Sequence, residues 1–168
     1  MKTLRRFLPW TTLTLLFLLV VLLLLLFVGN FSLFPQHLAE DYYNDDVIEA
    51  KDHYFYLATD DTGSLINDVK AIKRYAFLWK PVEGRITELW VGEQQAATLF
   101  CFEGDDITHC FIQWNATKHE LGKDYYAFRT DTVQINGKEV KLDRYSYFTM
   151  DLPLAQIAIN GHNATFKS

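Results

Sequence analysis

Residues 101–110 read CFEGDDITHC, placing two cysteines, a histidine and three carboxylates in ten positions. Such residues support three chemistries: a thiolate–imidazole metal site, a carboxylate loop for a hard cation, or a disulfide. Setting 97–103 antiparallel to 108–114 pairs Cys101 with Cys110, Leu99 with Ile112 and Ala97 with Trp114 on one face. The other face pairs Phe100 with Phe111 and Phe102 with His109, and the turn falls on Asp105-Asp106 beside Gly104. Side chains alternate along a strand, so His109 points away from Cys110, and a zinc set of Cys101, Cys110 and His109 does not converge. Glu103, Asp105 and Asp106 lack the ligand number and spacing of a calcium loop. A Cys101–Cys110 disulfide satisfies turn, packing and pairing in one register, which a one-residue slip would break. No metal or cofactor is expected from this stretch.

A disulfide requires an oxidising compartment, and the chain carries an address. From Phe7 to Val28 run 22 residues without charge. As a helix they span roughly 33 Å, enough for a hydrocarbon core of about 30 Å. Lys2, Arg5 and Arg6 precede the span, and the first charges after it are Glu40, Asp41, Asp45 and Asp46. Positive charge stays inside, so the N-terminus is expected in the cytoplasm and residues 36–168 outside. A cleaved signal peptide would have a shorter apolar core and an A-x-A-like site; GNFSLFPQ follows instead. The expected organisation is a cytoplasmic tail (1–10), a signal anchor (11–30), a juxtamembrane linker or short helix (31–52) and an extracytoplasmic β-rich domain (53–168). Residues 7–28 meet the lipid bilayer. A compact domain set directly on its anchor points to a bacterial inner membrane, with the domain in the periplasm.

That outer part holds 13 Lys and Arg against all 21 Asp and Glu, a net charge of −8. Phosphates repel such a surface, so no nucleic acid is expected as its partner, and the cytoplasmic tail is too short for a DNA-binding domain. KHELGKD (118–124) has His119-Glu120 but no second histidine of a zinc-protease helix. No G-x-S-x-G elbow or phosphate-cradling glycine loop occurs, so no catalytic residues are assigned and a non-enzymatic protein is expected. His37 and His53 flank the acidic linker and read as solvated, and His162 sits in a turn. Asn30, Asn115 and Asn163 head glycosylation sequons.

The elements follow from periodicity. HYFYLAT (53–59) reads as a strand closed by the turn DDTG. SLINDVKAIKRYAFLW (64–79) spaces Leu65, Val69, Ile72, Ala76 and Trp79 as a helix, with Ser64 as N-cap and Pro81 as stop. A two-turn helix followed by a strand over 75–79 fits the same residues. RITELWVGE reads as a strand. Asn136-Gly137 turns a hairpin with Val133, Ile135, Val140 and Leu142 on one face. Asn160-Gly161 repeats the device with Ile157, Ile159, Ala164 and Phe166. The fold class is therefore mainly β (α+β): an N-terminal transmembrane helix, then an antiparallel small barrel or sandwich with one helix.

Aromatic residues number 26 of 168. Most fill the core of a curved sheet, yet RYSYFTM carries aromatics on both faces. Trp90, Tyr126, Phe128, Tyr145 and Tyr147 are the candidates for facing a partner or an apolar ligand. The expected partner is another membrane protein with an extracytoplasmic domain. In layout (a short basic tail, one span and a periplasmic β-domain of this size) the chain resembles the ToxS-type accessory proteins. That resemblance implies support of a membrane-bound transcription regulator. Assembly subunits of pili, secretion systems or respiratory complexes share the layout. The alternative is a β-barrel sensor binding an apolar small molecule such as a bile salt or fatty acid.

Overall fold

The computed structural model describes residues 4–40, 46–60, 65–118, 124–151 and 153–167. One helix, α1 (Leu4–Phe27), is long and apolar enough to cross a membrane, and its span Trp10–Phe27 stands clear of the rest of the chain. It ends at Gly29 and Asn30, where Asn30 takes φ 53° and the Phe31 N–H returns to the Leu25 carbonyl at 3.3 Å. A β carbon at Gly29 would lie 2.7 Å from that carbonyl, so only glycine lets the chain turn out here. Residues 31–40 then run as a strap with a single turn of 3₁₀ helix at Pro35–Leu38.

The rest is antiparallel β-structure, not closed into a barrel. A four-stranded meander, sheet A, holds β1 (Asp46–Ala50), β2 (His53–Thr59), β3 (Ile66–Tyr75) and β4 (Leu78–Val82) in sequence order. Next come β5 (Arg85–Val91), β6 (Gln94–Glu103), β7 (Thr108–Trp114), the short pair β8 (Thr117–Lys118) and β9 (Asp124–Tyr125), β10 (Thr132–Ile135) and β11 (Lys138–Lys141). The last are β12 (Tyr147–Met150), β13 (Ile157–Ile159), β14 (His162–Asn163) and β15 (Thr165–Lys167). Sheet B runs β12-β7-β6-β5-β15, and a small sheet runs β11-β10-β13-β14.

Sheet B is the middle layer of a sandwich. Alternation along β6 sends Ala97, Leu99 and Cys101 towards the small sheet, where they meet Val133, Ile135, Ile157 and Ile159 in one core. The intervening Phe100 and Phe102 join Phe111 and face Phe55, Leu57, Val69 and Ala71 of sheet A in a second core. This double burial explains why the 97–103/108–114 hairpin is apolar on both faces. A third cluster lies on the outer face of sheet A, where the strap's Ala39 covers Tyr56 and Ile72. Ser32 and Trp79 exchange N–H···O bonds of 2.8 Å, which tie the strap to β4.

The register of β6 with β7 is the expected one, Cys101 opposite Cys110 and Phe102 opposite His109, and the two cysteines form a disulfide with Cα atoms 4.3 Å apart. Both Asn-Gly turns adopt positive φ at Asn136 (50°), Gly137 (79°), Asn160 (51°) and Gly161 (78°), as tight hairpins require. Four expectations are corrected. Residues 66–75 are strand, not helix, and among the described residues α1 is the one α-helix, so the expected domain helix is missing. Pro81 does not end an element but lies inside β4, an edge strand that tolerates a missing N–H. Residues 46–50 of the acidic linker are strand β1, paired with β2, so the sheet begins ahead of residue 53. Ala164 breaks the last hairpin: β15 leaves the small sheet to pair with β5, and Phe166 is 36% exposed. The proposed Ser64 cap, most of DDTG and His119-Glu120 lie outside the described residues.

Candidate functional site

Two tight turns, one from each large sheet, meet edge to edge. In sheet A, Ala50 pairs with His53 across the two-residue turn Lys51-Asp52. In sheet B, the Gly104 N–H bonds to the Ile107 carbonyl at 2.8 Å and projects Asp105 and Asp106. Charge complementarity joins them. Lys51 Nζ donates to Asp106 Oδ2 at 2.9 Å, Lys73 Nζ to Asp105 Oδ1 at 2.7 Å, and the Asp105 N–H to Asp52 Oδ2 at 3.2 Å. The stretch CFEGDDITHC is therefore both a staple and a roof.

Beneath that roof lie His53 and His109, with 0% and 1% of their surfaces exposed. Their ring centroids are 5.2 Å apart. His53 stacks on Phe55 at 5.3 Å, and His109 lies parallel to Tyr147 at 6.1 Å. Asp52 Oδ1 stands 3.0 Å from His53 Nδ1 and 3.9 Å from His109 Nε2. His109 Nδ1 and the Tyr147 hydroxyl share a hydrogen bond of 2.9 Å. Of the remaining ring nitrogens, His53 Nδ1 is met by the Asp52 carboxylate at 3.0 Å, whereas His53 Nε2 and His109 Nε2 have no hydrogen-bond partner among the described residues. Each unsatisfied buried nitrogen costs about 1–3 kcal/mol. Natural cores rarely leave two such atoms in one place without a use.

Electrostatics shape the cluster. Burial pushes the Asp52 carboxyl up, but contact with His53, the Asp105 N–H and the Lys73 charge outweigh it and hold the group below its ordinary value. Burial, reinforced by the neighbouring His53, lowers His109 and favours a neutral imidazole with a free lone pair. The Asp105 hydrogen bond raises Lys73, which stays charged. A cleft of about 160 Å³, bordered by Lys51, Asp105, Asp106 and Ile107, opens on Asp52. Asp52, His53 and His109 offer ligand atoms all within 4.8 Å of one another, close enough to share one cation.

His53 is thus corrected from a solvated linker residue to a fully buried one. The missed signal is parity: His53 shares its face with Phe55 and Leu57 on β2, the face that enters the core. The expectation that His109 faces away from the cysteines holds, and that same geometry delivers it to His53 from the other sheet. His37 is exposed beside Glu40, and His162 is exposed on β14.

The five aromatic candidates do not form one surface. Tyr126 and Phe128 pack, half-buried, on the core shared with the small sheet, whereas Tyr145 and Tyr147 pack on the core shared with sheet A. Trp90 lies near the edge of sheet B with Lys167 3.5 Å above its ring, and its Nε1 donates to Glu88 at 2.9 Å. A larger groove of about 720 Å³ lies elsewhere, between β3, β4, β5 and β6. Val69, Val82, Phe100 and Phe102 line it with Lys70, Lys80, Asp68 and Glu83, and it reaches Asn30 at the helix exit. Gly84 makes room for the Phe102 ring in its floor, since a β carbon there would lie 2.6 Å from that ring. In comparisons with known proteins, the chain matches no family model, no curated protein and no solved structure.

Proposed function

We propose that the chain is a non-enzymatic, membrane-anchored accessory protein whose β-domain stands outside the cytoplasm and docks on another membrane protein. The observation that carries this reading is an apolar edge beside the end of α1. Phe77, at the tip of the β3–β4 hairpin, is 65% exposed, next to Tyr75, whose ring lies 5.8 Å from Phe31. Leu33 and Phe34 of the strap are exposed as well. Exposed apolar groups gathered in one region mark interaction surfaces, and these lie beside the end of the helix read here as the membrane anchor. The disulfide accords with a domain in an oxidising compartment. A membrane-bound transcription regulator fits the layout, and the partner is met through its extracytoplasmic domain.

The test is capture of partners by the tagged full-length chain from mild detergent, alongside a Tyr75→Ser/Phe77→Ser chain with unchanged circular dichroism. Selective loss of one membrane protein supports the docking edge, and retention of every captured protein sinks it. The groove favours a second reading, an amphiphile site: its apolar floor of Phe100 and Phe102 suits the tail of a fatty acid or bile salt, and its rim, where Lys70 and Lys80 stand among Asp68 and Glu83, suits the polar head. Binding of a fluorescent fatty acid that Lys70→Glu/Lys80→Glu weakens supports it, and binding indifferent to that change rejects it.

A further inference from the structure

We propose that Asp52, His53 and His109 bind one divalent transition-metal ion, zinc by their ligand chemistry, and that the ion clamps sheet A to sheet B. Two of the ligands come from the β1–β2 hairpin and the third from β7, so the ion bridges elements that are otherwise joined here by packing, the Lys51–Asp106 and Lys73–Asp105 ion pairs and the Asp105 N–H bond to Asp52. Two imidazoles and one carboxylate select a borderline cation such as zinc over calcium or magnesium, which prefer all-oxygen sets.

The atoms around the ligands are arranged as metal sites require. Tyr147 holds His109 by Nδ1, which leaves Nε2 directed at Asp52 Oδ1, 3.9 Å away. Asp52 divides its oxygens. Oδ1 faces the imidazoles, while Oδ2 receives the Asp105 N–H at 3.2 Å and lies 3.8 Å from Lys73. Outer partners of this kind orient ligands and tune their basicity. The Lys73 charge is itself met by Asp105 at 2.7 Å, so it does not stand unopposed against a cation. Gly104 keeps the space beside the ligating nitrogen open, since a β carbon would lie 3.1 Å from His109 Nε2.

Ligands on tetrahedral zinc lie about 3.3 Å apart, given bonds of about 2.0–2.1 Å. The three atoms here lie within 4.8 Å, so small rotations of the rings and of the Asp52 carboxyl close the set. The cleft over Asp52 gives water a route to a fourth position. His109 Nε2 and one nitrogen of His53 are then accounted for as ligands, while the second nitrogen of His53 lies outside the set.

The experiment uses the full-length chain in detergent, stripped with EDTA and titrated with zinc chloride. One equivalent should bind, and free zinc at 100 times Kd should raise the ratio of folded to unfolded chain about 100-fold, read as a raised melting temperature. Calcium and magnesium should give no such rise. His53→Gln and His109→Gln should each abolish the equivalent and the zinc-dependent rise while keeping the disulfide and the β-sheet spectrum. If a variant fails to fold, cobalt(II) bound to the wild-type chain decides, because a tetrahedral site with nitrogen ligands gives intense visible bands. Their absence, sub-stoichiometric zinc on the folded wild type, or binding unchanged in His109→Gln overturns the proposal.

Discussion

Replacing both Cys101 and Cys110 by alanine separates the disulfide's contribution from that of everything else in the β6–β7 hairpin. The bond closes a loop of about ten residues, for which the chain-entropy relation gives roughly 2.7 kcal/mol at room temperature. Both residues are buried, Cys101 at 4% and Cys110 at 0% exposure, in the core between sheet B and the small sheet. Removing two buried atoms of about methylene size costs about 1–2 kcal/mol more. The alanine pair should therefore lose about 4 kcal/mol, a large share of the roughly 5–15 kcal/mol that holds a typical domain. Serine should be worse. Two hydroxyls in that apolar layer lack partners, and each adds about 1–3 kcal/mol. The expected order in urea unfolding of the full-length chain, followed by tryptophan fluorescence, is wild type, then the alanine pair, then the serine pair. A serine pair as stable as the alanine pair would show that water reaches the site, contrary to the burial described. An alanine pair with the wild-type midpoint, or two thiols titrating in unreduced denatured protein, would refute the staple itself.

Gly104→Ala places a β carbon 2.6 Å from the Ile107 carbonyl oxygen, against backbone that cannot swing aside, and should cost about 1–3 kcal/mol in the same assay. Burial, with the neighbouring Tyr54, raises the Tyr56 phenol above its ordinary value near 10. Its contribution to stability is then fully present below pH 10 and is lost as pH rises through the folded-state value, because the unfolded chain ionises first. Tyr56→Phe should flatten that alkaline limb in pH-dependent unfolding, and an unchanged limb would show that the phenol is hydrated. An alkaline phosphatase fused after Lys167 should be active and a cytoplasmic reporter there silent, and the opposite pattern would reverse the topology.

The hairpin at 97–114 was legible because three independent constraints, the turn, the cysteine pairing and two apolar faces, agree on one register. The misread segment at 64–79 shows how a strand imitates a helix. The pairing of β2 with β3 shifts by one between Ala58 and Thr59, leaving Asn67 as an extra residue. That bulge puts Ile66 and Val69, three apart, in the same core, which is helical spacing. The strap then buries Ile72 on the opposite face, so period-two alternation is erased from both sides. Tertiary cover overrode the local pattern. Half of the candidate site was legible in the same sense: the face of His109 follows from the hairpin register. Its meeting with Asp52 and His53 depends on how two sheets stack, and no local periodicity encodes that. The aromatic content predicted a packed interior, but dividing it between two cores required knowing that sheet B is buried on both sides.

Sheet B also has a timetable. Sheet A is a meander whose neighbours in space are neighbours in the chain, so it can close as soon as residue 82 is available. β5 must wait, since its outer edge is paired by β15, with Thr165 opposite Trp90, 75 residues later. Contacts so far apart in sequence form slowly, and an unpaired strand edge is a template for other chains while it lasts. During synthesis, the half-made protein therefore presents a finished first sheet and an open second one. A chain cut short before residue 165 never covers that edge, so late truncations should be more damaging than the three residues of β15 suggest. Biogenesis, rather than the finished fold, is where this architecture is most exposed.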